Sequence, residues 1–138
     1  MEPAIQFGAL LLEPARRTLR KGNLAVHLTP KEFEILHYLL ENPDRVVSRE
    51  ELLAKLWPGV VVEEANLTQN VFLLRKALGE TPSGQLYIET VPKRGYRIAV
   101  PVKRAVPHPH RSRKALLVAL LIVWSLLCFW LGYWHSWQ

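Results

Sequence analysis

Leu67, Val71, Leu74 and Leu78 recur at i, i+4, i+7 and i+11, and at ~100° per residue this spacing stacks them on one side of a helix. The pattern predicts a helix over 66–78 that turns this stripe toward a core. Asn66 suits the N-cap, Gln69 stands where a capping box closes, and Gly79 is the residue type favoured just past a helix end. The opposite face carries Gln69, Phe72, Leu73 and Lys76, flanked by Thr68 and Arg75. A solvated helix face carries charge where this one carries Phe72 and Leu73, so the outward side reads as a contact surface.

The same patterning places the other elements. Ile5–Leu12 and Thr18–Val26 are short β-like runs broken by Gly8, Pro14 and the turn Lys21-Gly22-Asn23, which predicts a small antiparallel sheet. Thr29-Pro30-Lys31-Glu32 opens a helix with a cap, a preset proline and a capping-box acid; Phe33, Leu36, His37 and Leu40 follow at helical spacing until Asn42-Pro43. With no histidine or cysteine partner at i±3 or i±4, His37 reads as an ordinary flank residue. Ser48-Arg49-Glu50-Glu51 repeats the capping logic ahead of Leu52, Leu53 and Leu56, and Trp57-Pro58-Gly59 stops that helix. Val60–Ala65 is longer than the tight turn of a minimal helix-turn-helix; it is either a buried extended segment or an exposed surface for a protein. Gln85–Val91 and Tyr96–Val100 form a hairpin whose tip is Pro92-Lys93-Arg94-Gly95. A basic tip directly after a contact helix is the arrangement of a wing reaching to phosphate or into a minor groove.

Composition changes the picture at one point. The 138-residue chain carries a formal +6, but up to Val100 there are thirteen Lys and Arg against twelve Asp and Glu, while 101–114 holds five basic residues and no acid. The excess charge therefore belongs to a linker, and nucleic-acid binding must be argued from placement. The lone cysteine, Cys128, excludes an intrachain disulfide. A glycine-rich phosphate loop, a metal-ligand cluster and a nucleophile with a base at recognisable spacing are all missing from the sequence, so neither an enzyme nor a cofactor nor a metal is expected.

In order along the chain, L-T-P-K-E-F-E-I-L, R-V-V-S-R-E-E-L-L, L-W-P-G, N-L-T-Q-N-V-F-L-L-R-K-A-L-G and Y-I-E-T-V-P-K-R-G-Y-R resemble the OmpR/PhoB-type winged-helix DNA-binding domain over Phe7–Val100. The resemblance implies an α+β fold: an N-terminal four-stranded antiparallel sheet, three helices and a C-terminal β-hairpin wing. It also implies that the helix 66–78 enters the major groove of double-stranded DNA, that Arg94 meets the backbone or minor groove, and that the loop 57–65 can touch RNA polymerase. The expected DNA-binding residues are Asn66, Thr68, Gln69, Asn70, Phe72, Leu73, Arg75, Lys76, Lys93 and Arg94. Many family members carry arginines at the positions of Phe72 and Leu73. A phenylalanine meets a thymine methyl but makes no bidentate hydrogen bond to guanine. Base readout is then left to Thr68, Gln69, Asn70 and Lys76, with Gln69 suited to adenine and Arg75 and Lys76 to phosphate. Modest affinity per domain implies two domains on half-sites about one helical turn apart. A receiver domain is not expected before Met1, nor is control by phosphorylation within these residues.

Ala115–Tyr133 is nineteen residues without a charge, and at ~1.5 Å per residue it spans roughly 29 Å, close to the ~30 Å of a bilayer core. Trp124, Trp130, Tyr133, Trp134 and Trp137 gather toward one end, and Lys103, Arg104, Arg111, Arg113 and Lys114 precede the other. The positive-inside rule then keeps the N-terminus cytoplasmic. The expected division is a winged-helix domain over 1–101, a basic proline-containing linker over 102–114, a transmembrane helix over 115–134 and a short extracytoplasmic tail over 135–138. That layout is similar to the CadC/ToxR-like membrane-anchored transcriptional regulators, and implies a single-pass protein of the bacterial inner membrane. Those proteins usually continue into a sensor domain, so the expectation here is a partner membrane protein, sensing within the bilayer, or a shortened relative whose regulation is lost. Extended, the linker reaches about 40 Å at ~3.1 Å per residue; its cations suit anionic membrane lipid at ~1 kcal/mol each. His108 and His110 alternate with prolines and read as linker. The competing reading is a membrane-anchored adaptor whose winged helix binds protein, for which Phe72 and Leu73 are equally suited.

Overall fold

The computed structural model describes residues 2–105, 120–127 and 130. Four N-terminal strands, β1 (Ala4–Phe7), β2 (Leu10–Glu13), β3 (Thr18–Lys21) and β4 (Leu24–Val26), are followed by α1 (Pro30–Glu41), α2 (Arg49–Leu56) and α3 (Glu64–Leu78). The hairpin β5 (Ile88–Val91) and β6 (Gly95–Ile98) comes next, and then a last strand, β7 (Val102–Ala105). Alternation sorts the first sheet into two faces, as a period of two requires. Ile5, Phe7, Leu10, Leu12 and Leu19 are buried on one face, while Gln6, Leu11, Arg20 and Ala25 line up in register on the other.

The sheet has five strands rather than four, in the order β4-β3-β2-β1-β7. Residues 102–105, expected to begin the linker, pair antiparallel with β1 from Ala4↔Ala105 to Phe7↔Val102. This corrects the expected boundary at residue 101: the folded domain includes Ala105. Lys103 and Arg104 suggested a solvated segment, yet an edge strand accepts such side chains readily because only one side of its backbone is paired. Val102 supplies the apolar contact, packing against the core beside Phe7.

The helices close over the inner face. Leu67, Val71, Leu74 and Leu78 of α3 meet Ile35, Leu36, Leu39 and Leu40 of α1 and Leu52 and Leu56 of α2 in one continuous core. Thr29 and Glu32 form the expected reciprocal capping box on α1. Ser48 caps α2 by accepting from the Glu51 backbone N–H at 3.1 Å, but the box does not close. The Glu51 carboxylate instead accepts 2.7 Å hydrogen bonds from both terminal nitrogens of Arg45 and a 2.9 Å bond from the Tyr38 hydroxyl. This triad joins α1 to α2. The Arg45 guanidinium first, and the Tyr38 hydroxyl after it, lower the Glu51 carboxyl to about 2, and burial beside that carboxylate raises the Tyr38 phenol. At the far end of α2, Lys31 donates to the Leu56 carbonyl, placing a cation at a helix C-terminus, with its ammonium 5.0 Å from the Trp57 ring centroid.

The wing is anchored at its base. Val47, just before α2, exchanges two backbone hydrogen bonds with Tyr96, at 2.8 and 2.9 Å. Gly95 adopts φ +144°, and a Cβ there would run into the Val47 carbonyl and stand 2.8 Å from the Ser48 Cα. Only glycine lets the two backbones approach this closely.

In the second part of the chain, residues 120–127 are helical. Among the described residues no helix is long and apolar enough to cross a membrane. The span expected over 115–134 lies mostly outside the described residues, as do 106–114, with His108 and His110, and the tail 135–138.

Candidate nucleic-acid interface

The N-cap of the contact helix lies three residues earlier than its capping pattern suggested. The N-cap position of α3 is Glu63, which makes no side-chain cap hydrogen bond, and Glu64 lies in the first turn. This corrects the assignment of Asn66 as cap and of Gln69 as its capping-box partner. An acidic residue beside the positive end of the helix dipole supports the earlier start, and Glu63 already has the extended conformation of a cap, φ −67°, ψ 143°. The C-terminal end is as expected: Gly79 closes the helix with φ +70° and donates its N–H to the Arg75 carbonyl at 3.0 Å.

The earlier start frees side chains. The Gln69 side chain is exposed and, among the described residues, its amide hydrogen-bonds to nothing. Asn66 is exposed within the first turn; its carbonyl accepts a 2.8 Å bond from the half-buried Asn70 Nδ2. The Thr68 hydroxyl turns back to the Glu64 carbonyl at 3.2 Å, so its outward part is largely its methyl group. Phe72 is 55% exposed and Leu73 39%, large fractions for side chains of this type. The Lys76 ammonium, one turn after Phe72, lies 5.8 Å from its ring centroid.

Arg75 behaves differently from the role its position suggested. It is half-buried, its Nε donates to the Ile88 carbonyl at 3.1 Å and its Nη2 to Thr90 Oγ1 at 2.5 Å, and the guanidinium lies 5.8 Å from the Tyr96 ring centroid. The side chain expected at a phosphate is a strut from α3 to both strands of the wing. Arg49, passed over in the sequence as part of a capping motif, joins the same junction, 5.4 Å from the Tyr96 ring centroid. No spacing rule would have found it, because Arg49 and Tyr96 lie far apart in sequence and meet where Val47, just before α2, pairs with Tyr96.

At the tip, Lys93 and Arg94 are exposed. Lys93 has φ +63°, and the Arg94 N–H closes the turn on the Val91 carbonyl at 3.0 Å. Arg97, facing Glu89 across the hairpin, is paired with it at 2.6 Å. Among the described wing cations, Lys93 and Arg94 are left without an acidic partner. The loop before α3 also resolves one alternative, since Val60 and Val61 are exposed rather than buried. Elsewhere, Glu2, His37 and Glu41 offer ligand atoms within 4.8 Å of one another; the short approach is His37 Nε2 to Glu41 Oε1 at 3.0 Å, an i,i+4 pairing on the surface of α1.

Sheet, three helices and a hairpin anchored against the second and third of them make a winged helix. The family model described as "Transcriptional regulatory protein, C terminal" matches residues 22–98. The chain belongs to this family. Its described N-terminal part is thus an OmpR/PhoB-type winged-helix domain, of a family of transcription regulators and not of enzymes. It is 31% identical over 102 residues to the transcriptional activator CadC of Escherichia coli, covering 73% of this chain and 20% of that one. It is 34% identical over 100 residues to the phosphate regulon regulator PhoB of Escherichia coli, covering 72% and 43%. The chain thus spans less than half the length of these relatives. Among solved structures, the DNA-binding domain of Escherichia coli CadC matches with a TM-score of 0.67 at 31% identity, covering 75% of this chain and 97% of that one. The DNA-binding domain of Klebsiella pneumoniae RstA, solved in complex with its RstA box, matches with a TM-score of 0.60 at 28% identity, covering 70% and 96%.

Proposed function

We infer that this chain is a membrane-anchored, sequence-specific DNA-binding transcription regulator. Its α3 enters the major groove, and Lys93 and Arg94 of the wing meet the backbone or minor groove. The observation that carries the reading is the outward face of α3, where Gln69, Phe72, Leu73 and Lys76 stand exposed, together with the exposed Lys93 and Arg94 at a wing tip without acid. The similar RstA domain, solved in complex with its RstA box, supports double-stranded DNA as the ligand. Two such domains on half-sites about one turn apart supply the specificity a single module lacks. Membrane anchoring rests on the uncharged run from Ala115 to Tyr133 and the cations before it, which also suit anionic lipid; the N-terminus is then cytoplasmic. The exposed Val60 and Val61 support a polymerase or other protein contact through 57–65.

Each neutralised phosphate lowers log K by about 0.9 per unit of log salt. Lys76→Ala should weaken binding to every duplex and reduce that slope by about one contact, and Gln69→Ala should relax preference at one base position. The exposed Phe72 and Leu73 also favour the adaptor reading, in which the same face grips a protein. Duplex affinity without salt dependence would establish the adaptor and end the regulator reading. Extraction of the full chain from bacterial membranes by detergent but not by alkaline carbonate tests the anchor; release by carbonate refutes it.

A further inference from the structure

The chemistry of the outward face of α3 specifies a kind of base pair. Guanine is read most often by the two-pronged donor of an arginine, and the only arginine on α3 has Nε and Nη2 committed to Ile88 and Thr90. The Thr68 hydroxyl and one Asn70 amide are turned into the helix. What faces outward at the centre is the Phe72 ring and the Leu73 side chain, with the unengaged Gln69 amide beside them. The C5-methyl of thymine is the apolar group on the major-groove edge, and glutamine pairs with adenine N6 and N7. Lys76, its ammonium 5.8 Å from the Phe72 ring centroid, and the exposed Lys93 and Arg94 of the wing tip carry the charge complementary to a phosphate backbone.

We propose that Phe72 and Leu73 read thymine methyl groups, with Gln69 on a neighbouring adenine, so that each half-site centres on A·T pairs and no guanine is contacted by α3. This rests on the DNA-binding reading above and adds the readout to it. The full chain, held in mild detergent, is presented with 30-base-pair duplexes of randomised core, and each thymine of a selected duplex is then replaced singly by deoxyuridine. That substitution removes one methyl group and leaves pairing intact. Affinity should fall roughly fourfold at one or two adjacent positions, the ratio given by ~0.8 kcal/mol per buried methyl. Phe72→Ala should lose the difference between thymine and uracil at the position under its ring and keep any difference that Leu73 makes at the neighbouring one, whereas Phe72→Leu should keep part of it at both. Selected duplexes insensitive to uracil at every position, or with guanine under the centre of α3, would overturn the proposal. Failure to select any duplex would instead overturn the DNA-binding reading beneath it.

Discussion

Replacing Arg75 with alanine separates a strut from a phosphate contact. The substitution removes a charge-assisted bond to the Ile88 carbonyl at 3.1 Å, a second to Thr90 Oγ1 at 2.5 Å and the approach to the Tyr96 ring at 5.8 Å. The first, partly buried, contributes ~1.5–2 kcal/mol. The second, exposed to solvent, contributes ~0.5 kcal/mol, and the ring contact ~0.5 kcal/mol. A loss of about 2.5–3 kcal/mol follows, or a fall in Tm of roughly 10 °C for a domain of this size. Arg75→Lys should recover little of it, because an ammonium does not reproduce the two-nitrogen fork. Urea unfolding followed by circular dichroism gives the stability, and duplex affinity over a salt series gives the count of phosphates. The expected result for Arg75→Ala is a lower unfolding midpoint with an unchanged salt slope. A wild-type midpoint together with a slope reduced by one contact would refute the strut and restore Arg75 to the backbone.

Gly95→Ala forces a Cβ onto the Val47 carbonyl at φ +144° and should destabilise the domain by about 3 kcal/mol or more; an alanine variant with the wild-type urea midpoint would show that the wing is not clamped there. Glu51, lowered to about 2 from 4.5, stabilises the fold fully above pH ~4.5 and loses that contribution as pH falls toward 2. Glu51→Gln should therefore flatten the stability profile across that window, and an unchanged profile would exclude the Arg45–Glu51 pair as its source. Lys93→Gly should ease the turn at φ +63° by ~0.5–1 kcal/mol while lowering the salt slope of DNA binding by about one contact, so that stability and affinity move in opposite directions.

The core was easiest to read from the chain because burial repeats: the four positions marked on α3 are each at most 2% exposed, and the Thr29–Glu32 capping box is local enough to follow from spacing alone. What escaped is long-range. Arg75 looks like a phosphate ligand until Ile88 and Thr90, thirteen and fifteen residues on, are brought against it. The start of α3 was misplaced because Asn66 has better capping chemistry than Glu63, while the backbone geometry before the helix favoured the acid. β7 was missed because two of its four residues are cationic and its partner strand lies at the other end of the domain. The exposures of Phe72 and Leu73 were implied by their place opposite the leucine stripe, whereas the hydrogen bonds that occupy Thr68 and Asn70 depend on rotamers the sequence does not display.

The pairing of β7 with β1 decides where this protein can be cut. A fragment ending at residue 101 would strip four partners from β1 and leave it as the edge of a four-stranded sheet, with a row of its amides and carbonyls bared. Such an open edge recruits whatever strand is nearest, including the same strand of another molecule. Aggregation of a fragment so shortened would then report the truncation itself, whereas one carried through Ala105 keeps its own cover.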